Sequence, residues 1–497
     1  MDDGLNGFLR AAGEAVGPRW VDDSRRARDG YGASELPAGP VPPAAVVRPG
    51  STDEVRAVVR LANEYGVTLH PISTGQNLGL GGTVAARPGN VVLDLGHRMN
   101  RILEFDETLR YVVVEPGVTY QALADFLVEQ GDHLMCDTTS GPPAGGPLGN
   151  TLDKGGGYTP AADHFGNSCG LEVVLGDGRL LRTSDGAVPD SRTWHLAKYG
   201  LGPFLDGLFL QSNYGIVTRM GIWLQPRPPV IRSFFFVYPE DDDIAEIVEI
   251  VRDLRLNGTV PTAIKATGDL YSLASRIPYP GERPISDDTR KQLHGEYGVG
   301  AWIVSGALYG ASRDDVEPRL ATVRSLFEAT GKARYVAHEE AWEDPGLKIH
   351  IDTYGGRPTA EETKMLNWRG GGLVSLTPST PMIGSVARQH QRLSRDILAR
   401  HRIDTCIDYI FAGRASRGLH SIMFDPSDPE ECRDVATACT EFRSAYAEAG
   451  YPCGRVPADM QASEMGHRDA TFRSVLHDLK RVLDPLGVLS PGRYGIG

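Results

Sequence analysis

The chain of 497 residues has few cysteines, and none of the six stands in a CxxC pair. Cys136, Cys169, Cys406, Cys432, Cys439 and Cys453 are scattered, which excludes a dense disulfide framework and a zinc finger or ribbon. Free thiols in a reducing cytoplasm are the expectation. Cys136 and Cys169 flank the most glycine-rich stretch, and buried, inert thiols are expected there. Positive charge is also short: 51 Lys and Arg against 64 Asp and Glu leave a net charge of −13. An acidic surface argues against nucleic acid and against an anionic membrane as partners. No apolar run approaches the ~18 residues that a membrane-spanning helix needs. The first residues, MDDGLNGFLRAAGEAVGPRW, lack a basic segment followed by an apolar one, so no secretory signal is expected. Two phosphate-binding signatures are missing as well. No strand runs into GxGxxG at the start of a helix, and there is no GxxxxGK followed by Ser or Thr.

What the sequence does have is glycine, 59 residues of it, concentrated in two places. Residues 137–183 begin with a run that is mostly Gly, Pro, Ser, Thr and Asn. Gly141, Gly145, Gly146, Gly149, Gly155, Gly156 and Gly157 crowd together there. Such a loop lets backbone N–H groups close on a phosphate or a flat ring, with no side chains in the way. Taken alone it is equally compatible with a surface loop. The stretch ends in LEVVLGDGRLLRT, two apolar runs about Gly176-Asp177-Gly178, which predicts a β-hairpin.

Along the rest of the chain, 1–40 reads as mixed polar sequence with one short helix. Residues 44–47 form a short strand, and Ser51 with Glu54 makes a capping box. Val55, Val58, Val59 and Ala62 give a helical stripe closed by Gly66, and 67–73 is the next strand. This β-α-β unit leads into a first glycine-rich loop, TGQNLGLGGTV. Strands follow at 90–95, 102–106 and 111–115, then a helix over 120–130 capped by Thr119. A strand over 216–224 precedes Pro226, Pro228 and Pro229, which look like a domain boundary. Beyond it, strands at 233–238, 302–309, 372–376 and 406–411 alternate with helices, as in a second α+β domain.

Several of these stretches resemble one family. PISTGQNLGLGG, GPPAGGPLGNTLDKGGGYTPAADHFGNSCGLEVVLGDGRLLRT, QSNYGIVTRMGIWLQPRPP, MLNWRGGG and LDPLGVLSPGRYGIG look like the vanillyl-alcohol oxidase and 4-cresol dehydrogenase flavoproteins, from about Ala44 to the C-terminus. The resemblance implies an α+β fold: an FAD-binding domain of the p-cresol methylhydroxylase type, in two α+β lobes (1–227). A cap domain with an antiparallel sheet would follow (228–454), and a C-terminal segment would return to the FAD domain (455–497). It implies that FAD is held by Ser73, Thr74, Gly75, Gln76, Asn77, Leu78 and Gly79 in the first loop. Ser140, Gly141, Gly146, Gly149, Asn150 and Tyr158 would hold it in the second. Gly215, Ile216 and Val217 would back the ring. Arg493 would place a cation where negative charge gathers on reduction.

The departures from that pattern carry information. The family grips a para-substituted phenol with two tyrosines and an arginine. The matching positions here are Leu80, Gly454 and Arg455, while a third tyrosine is kept as Tyr158. Each lost donor to a phenolate would cost ~1.5–3 kcal/mol if the substrate were unchanged. Leu80 and Gly454 also make a roomier, more apolar substrate site, which suggests a bulkier ligand. The oxidase-type aspartate is missing too: counting back from Asn150, its place falls on Gly141. Asp408, on what reads as one cap strand, CIDYIFAGRASRGLHSIMF, is then the candidate general base. The flavin-linking His-His or Tyr of relatives falls on Arg417 and Gly418. His420 is the remaining candidate for a covalent link, and a tightly held, non-covalent FAD is the default.

The sequence therefore predicts an FAD-dependent oxidoreductase that takes hydride from an activated C–H, benzylic or beside a heteroatom, of a bulky aromatic organic substrate. Tyr158, Asp408, Arg455 and Arg493 are its catalytic candidates. O2 or another electron acceptor would reoxidise it, and no CxxCH haem motif is present. A cytoplasmic homodimer is expected, with no metal. Two alternatives stay open: a 4-alkylphenol or 4-hydroxybenzyl alcohol oxidase or dehydrogenase, and a flavin-binding protein with little turnover.

Overall fold

Residues 2–497 are described by a computed structural model. Two helices, Asp2–Val16 and Arg25–Gly32, occupy the N-terminal region where one short helix was expected. The β-α-β reading of the next segment holds with one refinement. Strands Ala45–Val47 and Leu69–Ile72 are parallel but not neighbours, because Val91–Asp94 pairs in parallel with both and lies between them. The intervening helix Thr52–Tyr65 buries Val55, Val58, Val59 and Ala62 against this sheet. Ser51 accepts the Glu54 N–H, and Gly66 closes the helix at φ 65°, a left-handed conformation open to glycine. The Glu54 carboxylate turns to Gly50 N–H and Arg98, so only half of the expected capping box forms.

A second, antiparallel sheet has the order Ile102–Asp106, Tyr111–Val114, Gly215–Trp223, Ser168–Leu175, Leu180–Arg182. The predicted hairpin forms its edge. The late strand Gly215–Trp223 enters the middle, which fixes the glycine-rich loop before Ser168 between two strands distant in sequence.

The third sheet has eight strands. Side-chain alternation divides its neighbours cleanly. Phe234, Phe236 and Tyr238 pack under helices Ile244–Leu256 and Arg313–Glu328, with Phe236 stacked on Phe327 at 4.3 Å. Phe235 and Val237 face the other way, into a core shared with Leu373, Met423, Leu347 and Ile351. The stretch read as one cap strand is a hairpin, Ile407–Phe411 and Ala415–Phe424, which pair in antiparallel register. The central strand Ile264–Gly268 went unpredicted, because Lys265, the second residue of IKATG, breaks the apolar pattern.

The C-terminal helix Ala470–Leu483 stops at Asp484, as Asp-Pro predicts. Val488 and Leu489 then enter the core of the first sheet, and Ile496 that of the second. Among the described residues no helix is long and apolar enough to cross a membrane, and no His, Cys, Asp and Glu group could hold a metal ion.

Candidate active site

A cleft of about 350 Å³ runs from the two glycine-rich loops to the third sheet. Ser73, Thr74, Gly75, Gln76, Asn77 and Leu78 line it from the first loop. Ser140, Gly141, Gly146, Gly149, Asn150 and Tyr158 line it from the second, and Gly215, Ile216 and Val217 from the central strand. The loops interlock closely: a Cβ on Gly149 would lie 2.2 Å from Ser73 Oγ. Gly79 is different. Its N–H goes to Glu35 and a Cβ would strike Ser375, so it supports the loop from behind and does not line the cleft.

The N–H groups of Thr74, Gly75, Gln76 and Asn77 have no acceptor among the described residues. Four successive free donors on a side-chain-poor loop suit the pyrophosphate of FAD, without a basic side chain. Glu35 is bonded to Gly79 N–H and Asp94 to Tyr31.

Further along, Arg455 and Arg493 both line the cleft. Asp153 accepts Arg455 at 2.7 Å on one oxygen and the Tyr494 hydroxyl at 3.1 Å on the other. Burial works to raise the Asp153 carboxyl, but the Arg455 and Arg493 charges outweigh it and hold it below its usual range. His70, bonded to Ser490 at 3.2 Å, is pushed down to about 3 by burial and by Arg493, so its ring stays neutral. Leu80 is buried at the cleft wall. Gly454 does not line it: the residue is exposed, and a Cβ there would meet only Thr377 O at 3.9 Å. The room expected from Gly454 therefore does not open into the cleft.

Two other expectations fail on geometry. Asp408 shares a strand face with the lining residue Ile410, yet it is fully buried behind the wall. Lys265 Nζ lies 2.9 Å away and the Thr267 hydroxyl donates to it at 2.9 Å. It cannot reach a substrate as a general base. His420 points to the opposite side of the sheet. On Ala415–Phe424 the odd positions Arg417, Leu419 and Ser421 line the cleft, so His420 faces helix Pro429–Glu448. There its ring meets Phe442 and bonds to Ser394. Asp137 is also structural: it takes the N–H groups of Tyr158 and Thr159 and pairs with His164 at 3.0 Å. Burial pushes the Cys136 and Cys169 thiols up to about 12, so both stay protonated.

A buried polar cluster was not foreseen. Glu362 lines the cleft at 5% exposure, bonded to the Tyr271 hydroxyl on one oxygen while the other, Oε2, has no partner. Lys265 lies 3.7 Å from Glu362 and 4.7 Å above the Tyr158 ring. Burial opposes the Lys265 charge, but Asp408 and Glu362 outweigh it and hold the lysine well above its ordinary pKa. The Tyr158 hydroxyl bonds to Ser140 across the cleft. Sequence offered little warning, since Lys265, Tyr271 and Glu362 come together only through the third sheet. The motif MLNWRGGG falls partly on Leu366 and Asn367, whose side chains lie outside the described residues.

Comparison with known proteins agrees with this geometry. Residues 43–184 match the model of an FAD binding domain family. The 4-cresol dehydrogenase [hydroxylating] flavoprotein subunit of Pseudomonas putida is 35% identical over 462 residues, covering 91% of this chain and 88% of that protein. The 1'-carboxy-chondrochloren decarboxylase of Chondromyces crocatus is 32% identical over 488 residues, 90% of each. The solved structure of p-cresol methylhydroxylase with substrate bound superposes with a TM-score of 0.97 at 33% identity, covering 100% of this chain and 98% of that one. The chain belongs to the 4-cresol dehydrogenase family of FAD-dependent oxidoreductases, with the p-cresol methylhydroxylase fold.

Proposed function

We propose that the protein oxidises an activated C–H, benzylic or beside a heteroatom, of an aromatic substrate larger than a simple 4-alkylphenol. One observation carries this: the cleft that holds the free N–H donors of the first loop is also lined by Tyr158, Arg455 and Glu362. FAD, when bound, supplies the acceptor for a hydride. The chain's own residues do the rest. Backbone donors of the two loops hold the phosphates, Ile216 and Val217 back the ring, and Arg493 provides a fixed cation for the charge that reduction brings. Tyr158 and Arg455 orient the hydroxyl or anionic end of the substrate. The free Glu362 Oε2 accepts the hydroxyl proton, in the role that sequence gave to Asp408. The C–H pair leaves as hydride and the proton goes to Glu362, so the substrate becomes a carbonyl, an alkene or a quinone methide that adds water. Leu80 leaves an apolar wall where one of the family's phenol-gripping tyrosines would stand.

The accompanying reading is an FAD-binding domain over 1–227, a cap over 228–454, and a returning segment over 455–497. It takes the active form as a cytoplasmic homodimer, reoxidised by O2 or another acceptor. The test is anaerobic stopped-flow mixing of the flavoprotein with phenols of increasing bulk. Bleaching of the flavin band by the larger aromatics supports the reading. Preference for short 4-alkylphenols would return the substrate to that class. No bleaching by any of them would leave a flavin-binding protein with little turnover.

A further inference from the structure

Three guanidinium groups line the cleft, and their circumstances differ. Arg455 is neutralised by Asp153 at 2.7 Å. Arg493 stands on the C-terminal segment, its guanidinium 5.0 Å from the Tyr494 ring, on the side of the cleft read above as the flavin site. Arg417 stands on the third sheet, on the same strand face as Leu419 and Ser421. Among the described residues it has no carboxylate within ion-pair distance and donates no side-chain hydrogen bond. The charged and titratable groups that face it are Arg455, Tyr158 and Asp163. Asp163 is exposed and already accepts the Gly166 N–H at 2.9 Å, while the Tyr158 hydroxyl is bonded to Ser140.

A guanidinium in this position is held at a cost. Burial and the like charge of Arg455 both press its pKa downward, and the opposing pull of Tyr158 and Asp163 does not offset them. A neutral substrate closing the cleft would remove the remaining water and leave the cation unpaired. A carboxylate would supply two acceptors in the planar geometry that suits a guanidinium fork. The protein's net charge of −13 gives no general attraction for anions, so this local cation is the feature that selects one.

We propose that Arg417 anchors a carboxylate of the substrate, so that the protein acts on an aromatic acid in preference to a neutral phenol; this rests on the oxidative reading above. Arg455, already paired, orients the hydroxyl end, and Arg417 reads the acid.

The test uses matched probes that differ in one group: 4-propylphenol and 3-(4-hydroxyphenyl)propionate, then 4-ethylphenol and 4-hydroxyphenylacetate. Binding is read from the shift of the flavin spectrum in the holoenzyme, and reduction from its bleaching. The acids are expected to bind at least tenfold more tightly than their neutral partners. R417Q should weaken the acids at least tenfold more than the phenols, and R417K should fall between. Equal binding of acid and phenol, or an equal loss of both in R417Q, overturns the anchor while leaving the oxidative reading intact where the phenols still bleach the flavin. Loss of FAD from R417Q with unchanged acid preference assigns the arginine to the cofactor and also overturns it. If no probe binds or bleaches, the anchor falls together with the aromatic reading.

Discussion

Asp408 Oδ2 lies 2.9 Å from Lys265 Nζ, and neither side chain exposes more than 1% of its surface. The pair joins neighbouring strands of the third sheet behind the Tyr158 ring. A buried ion pair broken on one side leaves a charge with no water to solvate it. K265M is therefore expected to cost about 3–5 kcal/mol of stability, read from urea midpoints. The double variant K265M/D408N, which leaves only the Glu362 carboxylate without its cation, should recover part of that. Single variants within about 1 kcal/mol of the parent would contradict the pairing.

Glu362 provides the opposite contrast, a buried carboxylate on the cleft lining with one oxygen unpartnered. E362Q keeps the shape and the Tyr271 contact but cannot accept a proton. The rate of flavin reduction should fall by about 10²–10⁴-fold. FAD content and unfolding midpoint should hold. A reduction rate within threefold of the parent would assign the proton to another group.

Asp153 links three parts of the chain that are distant in sequence, taking Arg455 on one oxygen and Tyr494 on the other. D153N loses the charge that fixes Arg455. With a charged hydrogen bond worth about 1.5–3 kcal/mol, substrate Kd should rise roughly 10–100-fold. R455K should not restore binding, because an ammonium cannot span Asp153 and Asn77 as the guanidinium does. Unchanged Kd in D153N would mean that the arginine is positioned from elsewhere.

Local signals explain what the sequence could reveal. Caps at Ser51 and Thr119, the Gly66 stop and the hairpin at 176–178 all depend on a few adjacent residues, and all appear in the structure. The loop residues that line the cleft are adjacent too. Lys265, Glu362 and Arg417 are not, since each gains its meaning from a sheet assembled across more than 150 residues. Asp408 and His420 show the limit in another form. Reading their stretch as one strand hid the turn at 412–414, and only the folded sheet shows which face meets the cleft.

His420 turns away from that cleft, so it is not expected to carry the flavin. Acid precipitation should leave the yellow chromophore in the supernatant, for the parent and for H420Q alike. Colour retained in the parent pellet and lost from the H420Q pellet would require the strand to present its other face.

The same histidine should govern acid stability. Burial pushes His420 down to about 3 and His390 down to about 4. Each ring packs against Tyr446, and Ser394 bonds both His420 and the Tyr446 hydroxyl. In the folded protein both rings stay neutral well below the pH at which an unfolded histidine takes up its proton, near 6.5. The unfolded chain therefore binds more protons over that interval, and stability falls as pH falls from about 6.5 toward 4. Each histidine contributes a slope of about 1.4 kcal/mol per pH unit. H420Q offers an amide to Ser394 without a titrating group, so its stability should decline less steeply by about one proton's worth. Urea midpoints between pH 7 and 4.5 measure the two slopes. Parallel lines would show that His420 takes up its proton in the folded state, against the burial described here.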